Sequence, residues 1–264
     1  MIDVSDLAVT FNRGTPMETR ALRGIDLAIP AGQFVTVIGS NGAGKSTLLN
    51  ALTGDVTPET GRIVIEGTDV TRWSAPARAG LMARVFQDPL AGSCESLTIE
   101  ENLALAAARG RRRGLGLALD RAVRDAFRDK LKQLGLGLEA RLADRMGLLS
   151  GGQRQAVSLL MATLRPMKIL LLDEHTAALD PKTAEFVLKL TDAIVAAQNL
   201  TTLMVTHSMR QALDHGERTI MMHEGRIAFD VAGEARAGLD VPDLLALFSR
   251  GRDETIADDT LLLG

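Results

Sequence analysis

Apolar and polar positions alternate at the start of the chain. Ile2, Val4, Leu7, Val9 and Phe11 follow a period of two with one slip, and Ala21 to Ile29 repeats it beyond the turn-rich stretch Asn12 to Met17. The pattern predicts an antiparallel strand pair. Phe34 to Ile38 is a continuous, largely β-branched apolar run, the mark of a buried strand, and Leu48 to Leu52 has helical character. Gly61 to Gly67 reads as a strand bounded by glycines, and Met82 to Phe86 as another that ends at Gln87. The segment around Trp73 carries no clear period, and its lone indole reads as a packing anchor.

Beyond Gln87 the period lengthens. Thr98 and Glu101 form a capping box that opens an alanine-rich helix through Ala108, stopped at Gly110. Asp120 to Leu134 is a second helical run closed by Gly135, and Ser150 opens a third that continues to Leu164 before Pro166. Ile169 to Leu172 is then an apolar strand ending in Asp173 and Glu174. Pro181 to Gln198 is a helix with proline in its first turn, and Thr201 to Thr206 is a strand that delivers His207. Thr219 to His223 and Arg226 to Asp230 form a hairpin around Glu224 and Gly225, and Val241 to Phe248 is a short amphipathic helix. Strands alternating with helices predict an α/β fold with a mostly parallel sheet, whose carboxyl edge gathers Asp173, Glu174 and His207. With no internal repeat and no linker rich in Pro, Gly or Ser, residues 1–264 read as one domain.

Composition narrows the setting. With 264 residues and 46% apolar content the chain can bury a substantial core. A net charge of -3 and a pI near 5.9 point away from a general nucleic-acid binder. Cys94 has no partner for an intrachain disulfide, the first residues lack the basic start and apolar core of a signal peptide, and no apolar run reaches ~20 residues. The expectation is a cytosolic chain whose membrane connection runs through a partner. Arg111, Arg112 and Arg113 read as a solvated loop between helices rather than a phosphate or lipid site.

The chemistry centres on Gly39 to Thr47, which reads GSNGAGKST and matches G-x-x-x-x-G-K-[ST] between a strand and a helix. Glycines at 39, 42 and 44 let the main chain of Gly39, Ser40, Asn41, Gly42, Ala43 and Gly44 curl its N–H groups around a phosphate without Cβ collisions. Lys45 then reaches the β- and γ-phosphates, Ser46 offers a hydroxyl to Mg²⁺, and Thr47 adds an α-phosphate contact. Phe11, one of few aromatics, either stacks on an adenine or caps the core.

Taken together, Gly39 to Thr47, Gln87, Leu149 to Gln153 (LSGGQ), Leu170 to Glu174, Ala178 to Asp180 and His207 resemble, in order and spacing, the ATP-binding-cassette ATPases. LSGGQ is the most specific element. The resemblance implies a P-loop NTPase core with an N-terminal antiparallel β subdomain, an α-helical signature subdomain at about 88–165, and a short C-terminal helix and tail at about 241–264. It implies that Asp173 holds Mg²⁺ through water, Glu174 orients or deprotonates the attacking water, Gln87 senses metal and water where the membrane partner docks, and His207 contacts the γ-phosphate. Asp180 belongs to the same nucleotide site. It further implies that Ser150, Gly151, Gly152 and Gln153 contact the γ-phosphate held by a second copy, in a dimer with two ATP at its interface.

One departure is visible. His175 follows Glu174 where most members have proline, and it either interacts with the neighbouring carboxylate or serves as a packed or surface spacer. A smaller importer branch also reads DEHTAALDP and is similar in this respect, pairing with permeases akin to the branched-chain amino-acid type, with some relatives linked to aromatic amino acids. The expectation is a transport-coupled ATPase subunit at the cytoplasmic face, working with ATP, Mg²⁺, a second ATPase subunit, separate integral membrane permeases and an extracytoplasmic solute-binding protein. The alternative is a soluble cassette ATPase in cofactor assembly, cell division or nucleic-acid repair.

Overall fold

The computed structural model describes residues 1–110 and 118–247; Arg111 to Arg113, Phe248 and the acidic tail lie outside them. The described chain divides into two compact units, Met1–Arg78 with residues from Thr201 onward, and Ala79–Leu200. The first unit begins with β1 (Ile2–Phe11), β2 (Thr19–Ile29), β3 (Phe34–Gly39), α1 (Lys45–Thr53), β4 (Thr60–Ile65), β5 (Thr68–Asp69) and α2 (Ala75–Arg78). The second holds β6 (Met82–Val85), α3 (Ile99–Ala107), α4 (Arg121–Lys132), α5 (Gly151–Thr163), β7 (Ile169–Asp173) and α6 (Pro181–Gln198). The chain returns to the first with β8 (Thr201–Val205), α7 (Met209–Asp214), β9 (Arg218–His223), β10 (Arg226–Ala232) and α8 (Glu234–Ala237), and residues 241–247 are helical.

In the first unit β1 pairs antiparallel with β2, Ile2 opposite Ile29 and Phe11 opposite Thr19, and with β4 on its other side, giving the order β2-β1-β4-β5. The slip in the β1 alternation is a bulge. Its register shifts between Val4 and Leu7, where Asp6 takes φ 46, so Leu7 returns to the buried face with Ile2, Val4 and Val9. Gly61 passes so close to the bulge that a Cβ there would lie 2.3 Å from the Asp6 carbonyl oxygen. β3 is buried from Phe34 to Ile38 and lies between β8 and β9, parallel to both, with β10 antiparallel to β9. The buried Thr36 hydroxyl lies 3.0 Å from that of Thr219 and from the Ala212 carbonyl oxygen, which ties β3 to β9 and α7.

The Trp73 segment forms the short helix α2, and its anchor is another residue. Trp73 is 40% exposed, whereas Arg78 is 1% exposed and donates to the carbonyls of Ala51, Leu52, Thr71 and Trp73. Two of those carbonyls belong to the last turn of α1, so a buried cation satisfies groups that a helix C-terminus leaves without partners. Burial disfavours the charged form of Arg78, which lowers its pKa from the ordinary arginine value.

In the second unit β6 and β7 run parallel, Met82 opposite Ile169 and Val85 opposite Leu172. α3, α4 and α5 enclose a separate apolar core that includes Leu103, Phe127, Leu131, Met146, Val157 and Leu160. Each fully buried side chain of this kind contributes about 1.5–3 kcal/mol. The capping box forms as the spacing predicts: the Thr98 hydroxyl accepts from the Glu101 N–H, and the Glu101 carboxylate accepts from the Thr98 N–H at 2.7 Å.

Arg78→Met keeps the aliphatic stem and removes every donor, leaving buried carbonyls unmatched. The expected loss is about 2–3 kcal/mol, seen as a fall in Tm of roughly 4–12 °C in a thermal melt. A shift below about 2 °C would contradict the capping role.

Candidate functional site

In the first unit the chain leaves β3 and turns through three residues with positive φ, Gly39 (150), Gly42 (80) and Gly44 (99), before entering α1. A Cβ at Gly39 would lie 2.2 Å from the Met222 carbonyl oxygen, and one at Gly44 2.5 Å from that of Ala21. The loop is thus pressed between β9 and β2, and no other residue type fits at either position. The hairpin that joins β9 to β10 secures it as well, since the Gly225 N–H donates to the Ala43 carbonyl at 3.1 Å.

The start of α1 differs from those of the other helices of nine or more residues. The side chains of Thr98, Asp120, Ser150 and Asp180 cap α3, α4, α5 and α6, whereas α1 begins at Gly44 with no side-chain cap and no acid in its first turn. No capping side chain or nearby acid occupies its positive dipole end, which is the arrangement an oxyanion needs. Lys45 is 5% exposed and bends back over the loop, its ammonium 2.8 Å from the Gly39 carbonyl oxygen and 3.0 Å from that of Ser40. Ser46 is exposed and Thr47 half-buried. His207, exposed at the end of β8, borders a cavity of about 360 Å³ with Gly39, Ser40 and Asn41. Sequence order separates this histidine from the loop by more than 160 residues, and β8 pairing beside β3 brings them together. Phe11 ends β1 and is 38% exposed.

The remaining candidates belong to the second unit. Asp173 ends β7, and Glu174 follows in the left-handed region at φ 49, a strain of about 1–2 kcal/mol for a residue with a Cβ. His175 is packed, at 2% exposure, with Nε2 3.1 Å from the Thr191 hydroxyl. Thr191 donates its single hydroxyl proton to the Val187 carbonyl at 2.9 Å, so the imidazole Nε2 carries the proton of the bond between them. The ring is thus packed, and it fastens the turn after Glu174 onto α6. Gln87 is exposed just beyond β6.

Ser150 caps α5, its hydroxyl accepting from the Gln153 N–H while the Gln153 side chain accepts from the Ser150 N–H. That use leaves the Ser150 hydroxyl proton available to an acceptor. Gly151 is exposed, but Gly152 is buried, and a Cβ there would lie 2.0 Å from Cγ2 of Thr183 on α6. Gly152 is thus required for close packing of α5 on α6. Asp180 caps α6 by accepting from the Thr183 N–H at 3.1 Å, and hydrogen bonds from Thr183 lower its pKa.

Among the described residues no three His, Cys, Asp or Glu side chains cluster as a metal cage. The Ser46 hydroxyl in the first unit, and the Gln87 amide and the Asp173 carboxylate in the second, each present a hard oxygen of the kind Mg²⁺ prefers. Arg84 went unnoticed in the sequence although a cation in an otherwise apolar strand was the available sign. It donates to Asp173 and lies over the Phe86 ring, 4.8 Å from the centroid.

Residues 22–177 match the family model described as ABC transporter. The chain is 41% identical over 248 residues to a tyrosine transport ATP-binding protein of Clostridioides difficile (strain R20291), covering 94% of this chain and 98% of that protein. It is 37% identical over 206 residues to the thiamine import ATP-binding protein ThiQ of Shigella flexneri serotype 5b (strain 8401), covering 77% and 82%. Among solved structures, the dimeric post-hydrolysis state of the ATP-binding cassette MJ0796 bound to ADP and Pi superposes with a TM-score of 0.76 at 28% identity, covering 88% of this chain and 98% of that one. The uncapped, glycine-built cradle and this near-complete likeness lead to one conclusion: the chain belongs to the ABC transporter family, as an ATP-hydrolysing cassette.

Proposed function

We propose that this ATPase powers the uptake of an aromatic amino acid through separate permease subunits, working as a homodimer at the cytoplasmic face of a membrane. The observation that carries the site is the start of α1, a nine-residue helix without a side-chain cap behind a loop of positive-φ glycines and a buried lysine. The near full-length likeness to a tyrosine transport ATP-binding protein supports the solute class. No helix among the described residues is long and apolar enough to cross a membrane, which fits a subunit that relies on others for the pore.

In this reading the chain is one ATPase domain with a helical subdomain at about 88–165. Main-chain N–H groups of Gly39 to Thr47 hold the β- and γ-phosphates, Lys45 adds a point charge, and Phe11 stacks on the adenine. Ser46, Gln87 and Asp173 hold Mg²⁺, which when bound offsets the charge that grows on the departing phosphoryl group. Glu174 orients the attacking water and takes its proton, and its strained backbone is what aims the carboxylate. His207 donates to a γ-phosphate oxygen. Ser150, Gly151, Gly152 and Gln153, at a helix N-terminus with no cradle of their own, meet the γ-phosphate of the facing copy, with Asp180 alongside. A cavity of about 510 Å³ in the second unit, lined in part by Phe86, Pro89, Leu105 and Met161, is the seat of the permease, and an extracytoplasmic binding protein supplies the solute.

Glu174→Gln keeps cradle and metal ligands, so it should bind ATP normally while hydrolysis falls roughly 10²–10⁴-fold. Lys45→Ala should instead lose nucleotide affinity. Binding and turnover measured side by side separate the two, and near-normal turnover in Glu174→Gln would remove the assigned base. Light scattering on Glu174→Gln should reveal a dimer with Mg-ATP that Ser150→Arg weakens; a monomer under every condition, permease present or absent, would overturn the shared site. Uptake of a labelled amino-acid panel by the reconstituted complex should favour tyrosine, phenylalanine or tryptophan, and transport confined to other solutes would refute the solute class.

A further inference from the structure

Arg84 is out of place by composition. Its neighbours on β6, Met82, Ala83 and Val85, are all buried apolar residues, and its own side chain is only 11% exposed. A guanidinium this deep requires a carboxylate partner, and Asp173, 13% exposed at the end of the paired strand, supplies one at 2.5 Å. The β6–β7 register sets Arg84 opposite Leu171, two residues before the carboxylate it reaches, so the pair is built into the strand alignment. The Phe86 ring beneath the guanidinium holds it from a second direction.

We propose that Arg84 is a positioning residue for the metal site, a resident counter-cation that aims the Asp173 carboxylate and weakens its hold on Mg²⁺. The inference rests on the reading of Asp173 as a metal ligand. A divalent ion approaching Asp173 meets a carboxylate already paired with a fixed positive charge, and like charges a few ångströms apart oppose each other. The pairing keeps the metal exchangeable, so that Mg²⁺ is retained well only when nucleotide phosphates add their own negative charge. A lysine at the same place would preserve the charge but lose the planar fork and the ring contact, so charge and geometry can be told apart.

The experiment uses the full chain, a fluorescent ATP analogue and a titration of MgCl₂, and it reads the Mg²⁺ concentration at which nucleotide affinity is half-maximally tightened. Arg84→Met should lower that concentration by roughly tenfold, with Arg84→Lys close to wild type; Arg84→Gln, with the same expectation as Met, serves if the Met variant melts below the assay temperature. A purely structural arginine predicts a lower Tm with the Mg²⁺ midpoint unchanged. If wild type responds to Mg²⁺ and the folded, charge-free variants stay within about twofold of its midpoint, the inference fails while the metal site stands. If wild-type affinity ignores Mg²⁺ altogether, the metal reading falls and the inference with it.

Discussion

Everything at the nucleotide end of the first unit follows from one requirement: main-chain N–H groups must surround an anion with nothing interposed. A loop can do this only if its backbone enters regions that side chains disfavour, and Gly39, Gly42 and Gly44 do so. The fold then closes on the loop from outside. Met222 of β9 and Ala21 of β2 approach to distances at which a single added carbon would collide, and Gly225 donates to the loop from the hairpin. The helix behind is treated differently at its two ends, since its N-terminus is left uncapped while the buried Arg78 satisfies carbonyls at its C-terminus. Its dipole therefore has one end fixed inside the protein and the other offered to a ligand.

In the second unit, polar chemistry sits on a rigid, locally strained frame. Asp173 is held by Arg84, and Glu174 occupies a left-handed backbone conformation. The next residue is locked by a hydrogen-bond chain from His175 through Thr191 to the Val187 carbonyl. Strain persists only where neighbours over-determine it, and a packed imidazole bonded to the middle of α6 is such a neighbour. Most members of the family place proline after the glutamate. Proline stiffens a turn covalently, and the histidine achieves a comparable restraint by burial and hydrogen bonding.

The glycines of the signature show how one short string serves two purposes. Gly151 is open, while Gly152 is a packing residue whose missing side chain lets α5 lie against Thr183. Ser150 accepts from Gln153 to cap its own helix and still retains a proton to donate. The positive N-terminus of α5 is thus both stably built and able to donate to an acceptor.

Much of this was legible in the chain itself, because the signals were local. Period-two alternation marked β1 and β2 down to the bulge between Val4 and Leu7, the capping box located α3, Pro181 located α6, and the positive-φ glycines of the cradle were visible as a spacing. Strand ends differ from the pattern by one or two residues, as at β4 and β10, since fraying there depends on the partner strand. Other features depended on groups far apart in sequence. That Trp73 would be partly exposed and Arg78 buried, that His175 would turn to Thr191, and that Arg84 would meet Asp173 were decided by packing. A charged or aromatic side chain carries no local sign of its partner, because the energy that places it comes from carbonyls, hydroxyls or carboxylates supplied by another element. Sequence alone named the groups suited to a phosphate, and tertiary structure decided which partner holds each of them.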